Sequence, residues 1–469
     1  MPDATLARAA EATLNGGFSG DVLLPGADGY DDARAVFNAM IDRRPALIAC
    51  CETTTDVAAA VRFARAQDLP IAIRGGAHAV SGHAVCDDGL VVDLRRMSAV
   101  SVDAGARTAR VQGGCTWGDV DGETQKSGLA VTGGRVPGTG VGGLVLGGGS
   151  GWLERKFGYT CDNLLSVELV TASGEVVRAS ADERPELFWA LRGGGGNFGV
   201  VTEFEFRLHE VGPTIAGGIL MFPVERGVEL MKAYRDYMLQ APDEVGGAAA
   251  VLCAPPEDFV PEPVRGKPVF GVIFTYSGSV EDGEREAAKL REWGPAVDMV
   301  APMPYADGGQ RLIEAGNPPG MQHYWKAGFI RELSDEAIET FVSHAADVCS
   351  PMTANIMVPL GGAVARVGED ETVLGMRDAM WNYHVLAQWP DPADGERNIA
   401  WTRAFDQAMQ PYALDGLYIN FVAEPPEDVL ESSFGAEKVA RLRAVKAEYD
   451  PDNVFRFNQN IKPGVSPGA

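Results

Sequence analysis

From Thr53 the apolar positions of "TTTDVAAAVRFARAQ" recur at helical spacing behind a capping cluster that ends at Asp56. The pattern predicts a helix that runs directly into a short strand, "IAIR" (71–74). A second strand, "LVVDL", follows at 90–94. The period then changes to two. "VSVDAGARTARVQGG" alternates on both sides of Ala104-Gly105, "LLSVELVTASGEVVRAS" does so around Ser173-Gly174, and "VVTEFEFRL" is a further alternating strand. Each of the first two predicts a β-hairpin. Hairpins of this kind predict an α+β fold, because a purely doubly wound sheet would not contain them.

Near Gly212-Pro213 the glycine-rich character fades, and longer alternations of strand and helix extend to about residue 424, broken at "APPEDFVPEPVRGKP" and "QWPDPADGE". The tail "AEKVARLRAVKAEYDPDNVFRFNQNIKP" predicts an amphipathic helix ended by Asp450-Pro451. The first residues, "MPDATLARAAEATLNGGF", predict a short polar-edged helix without the basic segment and apolar core of a secretory leader.

Composition narrows the class. With 469 residues the chain has room for two or three domains. A net charge of -25 and a pI near 4.6 exclude a protein that grips nucleic acid through its phosphates. No apolar run is long enough for a membrane span. The seven cysteines form no CxxC pair and their number is odd, which predicts reduced thiols, a cytoplasmic setting and no metal site.

The densest chemical signal is "GGRVPGTGVGGLVLGGGSGW" (133–152), supported by glycine clusters at 75–76, 113–114 and 193–196. Glycine admits positive φ and close backbone approach, and successive amides make an anion nest suited to a diphosphate. Gly138, Gly140 and Gly143 satisfy GxGxxG, and Asp162 lies near the offset of a ribose-binding acid. A dinucleotide fingerprint, however, needs a strand directly before it, and Pro137 stands there instead.

The motifs "IRGGAHAVSGH", "VQGGCTWGDV", "VPGTGVGGLVLGGGSG", "KFGYTCDNL", "ELFWALRGGGGNFGVVTEFEF", "LYINF" and "KAEYDPDNVFRFNQNI", in this order, resemble the vanillyl-alcohol-oxidase type of FAD enzymes. More narrowly, the chain is similar to the berberine-bridge-enzyme-like and 6-hydroxynicotine-oxidase branch. The resemblance implies an FAD-binding domain made of residues 1–212 and 425–469, with a substrate domain on a large antiparallel sheet (213–424) inserted between them. It also implies that the first of the two histidines in "IRGGAHAVSGH", His78, carries FAD covalently through the 8α-methyl group, and that His83 is a turn residue or lies behind the site.

Further flavin contacts implied by the resemblance are Arg74, Gly75, Gly76 and Ala77 beside His78, then Gly114, and then Val136, Pro137, Gly138, Gly140, Gly142, Gly143 and Gly148. Asp162 and Asn163, Gly199, Val200 and Val201, and the terminal Asn458 and Asn460 complete the set. Val136 stands where doubly linked relatives carry a second, cysteinyl attachment, so a single linkage is expected. Thr139 falls at a gate beside the reactive flavin carbon, and its modest size predicts access for oxygen.

In a strand, Tyr418 and Asn420 of "LYINF" would share a face, so that one can serve as base, Tyr418 by expectation, while the other hydrogen-bonds substrate or flavin. Lys326 is the candidate cation to favour the Tyr418 anion, Trp325 or Tyr324 to stack on an aromatic substrate, and Asn355 and Met357 of "TANIMVPL" to share a neutral pocket wall. The expected reaction moves a hydride from a secondary alcohol, or from a carbon next to nitrogen, to FAD, with oxygen as acceptor and peroxide as product. The expected partners are a small, aromatic or secondary-metabolite substrate and molecular oxygen, with no membrane and homodimerisation left open. A monooxygenase that tailors polyketides is the alternative enzyme. A carrier that has lost turnover is disfavoured by the Tyr418-Asn420 pair.

Overall fold

The computed structural model describes residues 17–254, 260, 262, 264–423 and 429–464. The expected N-terminal helix falls on 1–16, outside them, as does part of the "APPEDFVPEPVRGKP" break. The helix after Thr53 is Thr54–Ala66, closed by a reciprocal Thr53 and Asp56 capping box. It leads into a four-stranded sheet ordered Asp21–Leu23, Leu47–Cys50, Leu90–Asp93, Ile71–Arg74, in which the last three strands run parallel.

Both expected hairpins form, Val100–Asp103 with Thr108–Gln112 and Leu164–Val170 with Val176–Ser180. Val200–Arg207 lies between them and joins the hairpins into a five-stranded antiparallel sheet. The helix Ala436–Tyr449 returns to this part of the molecule: Leu442 and Val445 share a core with Phe204, Trp189 and Trp117. Lys446, fully buried, pairs with Asp450 at 2.6 Å and donates to the Asn197 carbonyl at 2.7 Å.

From Thr214 to Trp389 an antiparallel sheet, eight-stranded among the described residues, carries helices on one face. Gly227–Met238, Asp335–Ala346 and Gly395–Met409 cover that face, with Tyr234, Phe341 and Phe405 against Val251, Met357, Tyr383 and Val385. The opposite face meets the glycine-rich segment, where Trp152, Tyr159 and Tyr418 pack on Ala250, Phe329, Ile356 and Val358. The molecule is an α+β protein, and the space between these two halves is where its chemistry can be sought. One local expectation differs: "LYINF" is not a strand. Tyr418 is extended and a 3-10 turn, Ile419–Phe421, follows it.

Candidate active site

A cavity of about 290 Å³ lies between the glycine loops and the bare face of the large sheet. Its first wall is mostly backbone. A Cβ on Gly76 would stand 2.3 Å from the Gly140 nitrogen, so two glycine-rich loops touch where no larger residue fits. Gly75, Ala77, Val136, Thr139, Gly142, Gly143, Gly199, Val200 and Val201 line the same wall, and Asn458 closes it from the terminal segment. The Asn458 side chain donates to the Gly196 carbonyl at 3.0 Å, while its own amide oxygen is buried without a donor.

Other expected flavin contacts support this wall from behind. Arg74 is buried 3.9 Å from Asp93, with two guanidinium nitrogens free of hydrogen bonds. Gly114 makes room for the Leu94 carbonyl, and the Pro137 carbonyl accepts from Gly118. Gly138 and Gly148 shape the loop from behind the cavity surface, Gly148 at φ +112°. The Asn460 amide oxygen is buried without a partner, away from the cavity lining.

Asp162 and Asn163 are a correction. The Asp162 carboxylate forms a buried two-bond pair with Arg377 at 2.7 and 2.8 Å and accepts from the Tyr159 backbone, and Asn163 bonds the carbonyls of Phe157 and Tyr159. Both hold the loop that underlies the cradle and neither borders the cavity.

His78 borders the cavity from its glycine turn, just after Ala77 in the left-handed region at φ +53°. The surrounding protein pushes its imidazole down to about 4, through loss of hydration, so it is neutral near pH 7. His83 also reaches the lining, with Nδ1 3.1 Å from the Ser81 hydroxyl, and is likewise pushed down to about 4 by burial.

The second wall is the sheet, and its register decides which side chains face the cavity. His384 stands opposite Ala327 and Ile356, and Trp325 opposite Leu386; Trp325, Ile356, Val358, His384 and Leu386 form the wall. Lys326, Asn355 and Met357 occupy the alternate positions and point to the helices, because strand side chains alternate faces. Lys326 lies over the Tyr324 ring, and the Tyr324 hydroxyl accepts from Arg403 at 2.9 Å, also on the helix side. Of the substrate residues expected from the sequence, Trp325 alone is at the cavity.

His384 was not anticipated. It is 3 % exposed, packs edge-on against Phe421 at 4.2 Å, and is the one ionisable group on the sheet wall among the described residues. Burial, and then the Arg135 charge, push its pKa well below the usual histidine value. Arg135 borders the cavity too, paired with buried Glu154 at 2.6 Å and stacked on Trp152. The alternation in "WNYHVLAQW" predicts a strand, but nothing local says which face is bare.

At the corner, the Asn420 amide donates to the Leu144 carbonyl at 3.1 Å and reaches the Tyr418 hydroxyl at 3.4 Å. Asn420 borders the cavity, whereas Tyr418 sits behind it, 2 % exposed, with its oxygen accepting from the Gly149 N–H at 2.9 Å. Burial raises the phenol above its ordinary value. The cation expected to oppose that shift, Lys326, is on the far side of the sheet.

A wall of glycine backbone that admits close approach, with one unpaired amide oxygen at Asn458, faces an apolar sheet and suits a cofactor beside a small substrate. Comparison with known proteins gives that cofactor a name. Residues 45–180 match the FAD binding domain family and residues 417–462 the berberine and berberine-like family. The chain is 34% identical to the (R)-6-hydroxynicotine oxidase of Paenarthrobacter nicotinovorans over 461 residues, 95% of this chain and 97% of that one. It is 37% identical to an FAD-dependent monooxygenase of Cochliobolus heterostrophus over 449 residues, 90% of this chain and 84% of that one. The solved structure of 6-hydroxy-D-nicotine oxidase from Arthrobacter nicotinovorans superposes with a TM-score of 0.85 at 32% identity, covering 96% of this chain and 99% of that chain. The chain belongs to the FAD-linked oxidoreductases of the berberine-bridge-like and 6-hydroxynicotine-oxidase family. It is an enzyme that binds FAD, and it acts on a small molecule. The residues present fit that cofactor: the glycine cradle admits a close diphosphate, and the unpaired Asn458 oxygen offers an acceptor to a ligand rich in N–H and hydroxyl donors.

Proposed function

We propose that the chain is a flavoprotein oxidase whose FAD is held covalently by His78 and whose substrate is a small, uncharged, largely aromatic molecule oxidised at a carbon bearing a hydroxyl or an amine. When bound, FAD supplies the hydride acceptor and passes the electrons to oxygen, which leaves as hydrogen peroxide. The observation that carries this reading is the pairing of a neutral His78 on the glycine wall with a single neutral imidazole, His384, on an otherwise apolar sheet wall.

A neutral imidazole keeps a lone pair, which is the form able to bond to carbon at His78 and to accept a proton at His384. The substrate hydroxyl or amine proton goes to His384 as the hydride departs. Asn420 aligns the same polar group by hydrogen bonding, and Tyr418 keeps the Asn420 amide oriented through the 3.4 Å contact. The substrate ring lies along Trp325, Ile356 and Leu386. Arg135 shares its charge with Glu154, so this part of the cavity favours a neutral substrate over an ion. Thr139, small and on the lining, leaves oxygen a path.

The test starts with acid denaturation of the purified protein. Flavin that stays with the wild-type polypeptide and is lost in His78→Ala supports the linkage, and flavin released from the wild type refutes it. Turnover is then sought with (R)-6-hydroxynicotine and with hydroxylated aromatic alcohols, measuring peroxide. One peroxide per product supports an oxidase. Labelled oxygen found in the product would instead establish a monooxygenase, the activity named for the Cochliobolus relative.

A further inference from the structure

The imidazole of His78 sits in a glycine-bounded turn, and among the described residues no other side chain hydrogen-bonds to it. Its ring is held by stacking. Phe37 lies face to face with His78 at 3.9 Å between centroids and 15° between planes. On its other side Phe37 is stacked by His323 at 4.2 Å and 20°, and Trp325 abuts its edge at 5.9 Å and 67°. His323 is 1 % exposed and neither ring nitrogen has a hydrogen-bond partner. A buried polar ring left unsatisfied calls for a reason, and here the ring serves as a flat backing for Phe37.

The backbone ties the same residues together. Phe37 N–H donates to the Ala77 carbonyl at 3.0 Å, and Ala39 N–H to the Met321 carbonyl at 2.9 Å. The Asn38 amide donates to the carbonyls of Val80 at 2.8 Å and His323 at 3.0 Å, while its oxygen accepts from the His323 N–H at 3.0 Å. Three consecutive residues therefore join the histidine turn to the end of the substrate-sheet strand Gln322–Ile330.

We infer that Phe37 is a positioning residue for covalent flavin attachment, acting as a clamp that fixes the plane of the His78 ring. This rests on the covalent reading above. The lone pair of an imidazole nitrogen lies in the ring plane, so its aim is set by that plane. A stack fixes the plane from the ring face, and with the ring's hydrogen bonding confined to its own backbone one nitrogen stays open for the bond to carbon. Correct aim converts a rare encounter into a favoured one. Forming the N–C bond removes a proton from the imidazole and a hydrogen with its electron pair from the 8α-methyl; those two electrons, with two protons, leave on oxygen as hydrogen peroxide.

The test compares wild type with Phe37→Leu, which keeps apolar bulk without a ring, Phe37→Tyr, which keeps the ring, and His323→Leu, which removes the backing. Folded protein carrying flavin is isolated for each, acid-precipitated, and the flavin retained on the polypeptide is measured against the flavin bound before precipitation. The expected result is full retention in wild type and Phe37→Tyr, at least a several-fold lower retained fraction in Phe37→Leu, and a smaller loss in His323→Leu. Retention equal to wild type in both Phe37→Leu and His323→Leu overturns the clamp while leaving the His78 linkage intact. Flavin released from wild type overturns both. If Phe37→Leu does not fold, His323→Leu alone decides between these outcomes.

Discussion

The two walls of the cavity are built by different means. The cradle is backbone: its shape depends on where side chains are missing, as where Gly76 meets Gly140. The sheet wall is side chain: its chemistry depends on which of two alternating sets, His384 and Ile356 or Lys326 and Asn355, is turned to the cavity. A missing side chain is a property of the residue itself. A facing direction is a property of what packs on the other side.

The largest expected effect separates fold from ligand within the cradle. Gly76→Ala forces a Cβ onto the Gly140 backbone, which cannot yield as a flexible side chain could, and should give protein without flavin and with a lowered Tm. Gly143→Ala meets no protein atom and lies within the helix Val141–Leu146. It should keep or raise Tm, because Ala is favoured over Gly in a helix interior by up to about 1 kcal/mol, while flavin content falls. A Gly143→Ala protein with full flavin would show that this glycine serves the helix turn and not the cofactor.

On the sheet wall, His384→Leu should slow anaerobic flavin reduction by about 10²- to 10⁴-fold, the usual loss on removing a general base. Lys326→Ala, one residue out of register and on the helix side, should change the same rate less than about twofold, since surface-type changes away from a site are near neutral. The opposite ranking would place the bare face of the sheet elsewhere. Thr139→Leu, which adds bulk to the cavity lining, should leave reduction intact and slow reoxidation by oxygen about tenfold, or about 1.4 kcal/mol in barrier.

A dependence of stability on pH is shared by both walls. His83 on the cradle side and His323 on the sheet side are pushed down to about 4 and about 3 by burial, from 6.5. Protons then bind the unfolded chain more readily than the folded one. The stability tied to these groups is fully present above pH 6.5 and is lost as pH falls through about 4. Asp121, raised to about 7 by burial, acts in the opposite sense: its contribution is present below 3.8 and lost as pH rises through about 7. The Tm of wild type should therefore fall between pH 6.5 and 4, and the fall should be steeper in Asp121→Asn.

The hairpins, the capped helix after Thr53 and the glycine cradle were legible because period, capping and absent side chains act over a few residues. His78 was singled out by the resemblance of its motif, and the structure sets it on the cavity lining. The sequence alone thereby determined an α+β protein with a cradle for a diphosphate cofactor, and which strands alternate. Tertiary structure decided the rest. It turned His384 rather than Lys326 to the cavity, because the helices claim the face that carries Met357 and Val385. It paired Asp162 with Arg377, more than two hundred residues away, and so removed that carboxylate from the cofactor site. It set Tyr418 behind Asn420 by closing a 3-10 turn where a strand was expected, and it brought Phe37 onto His78. A local pattern states what each segment can bury, and only the packed partner states against what.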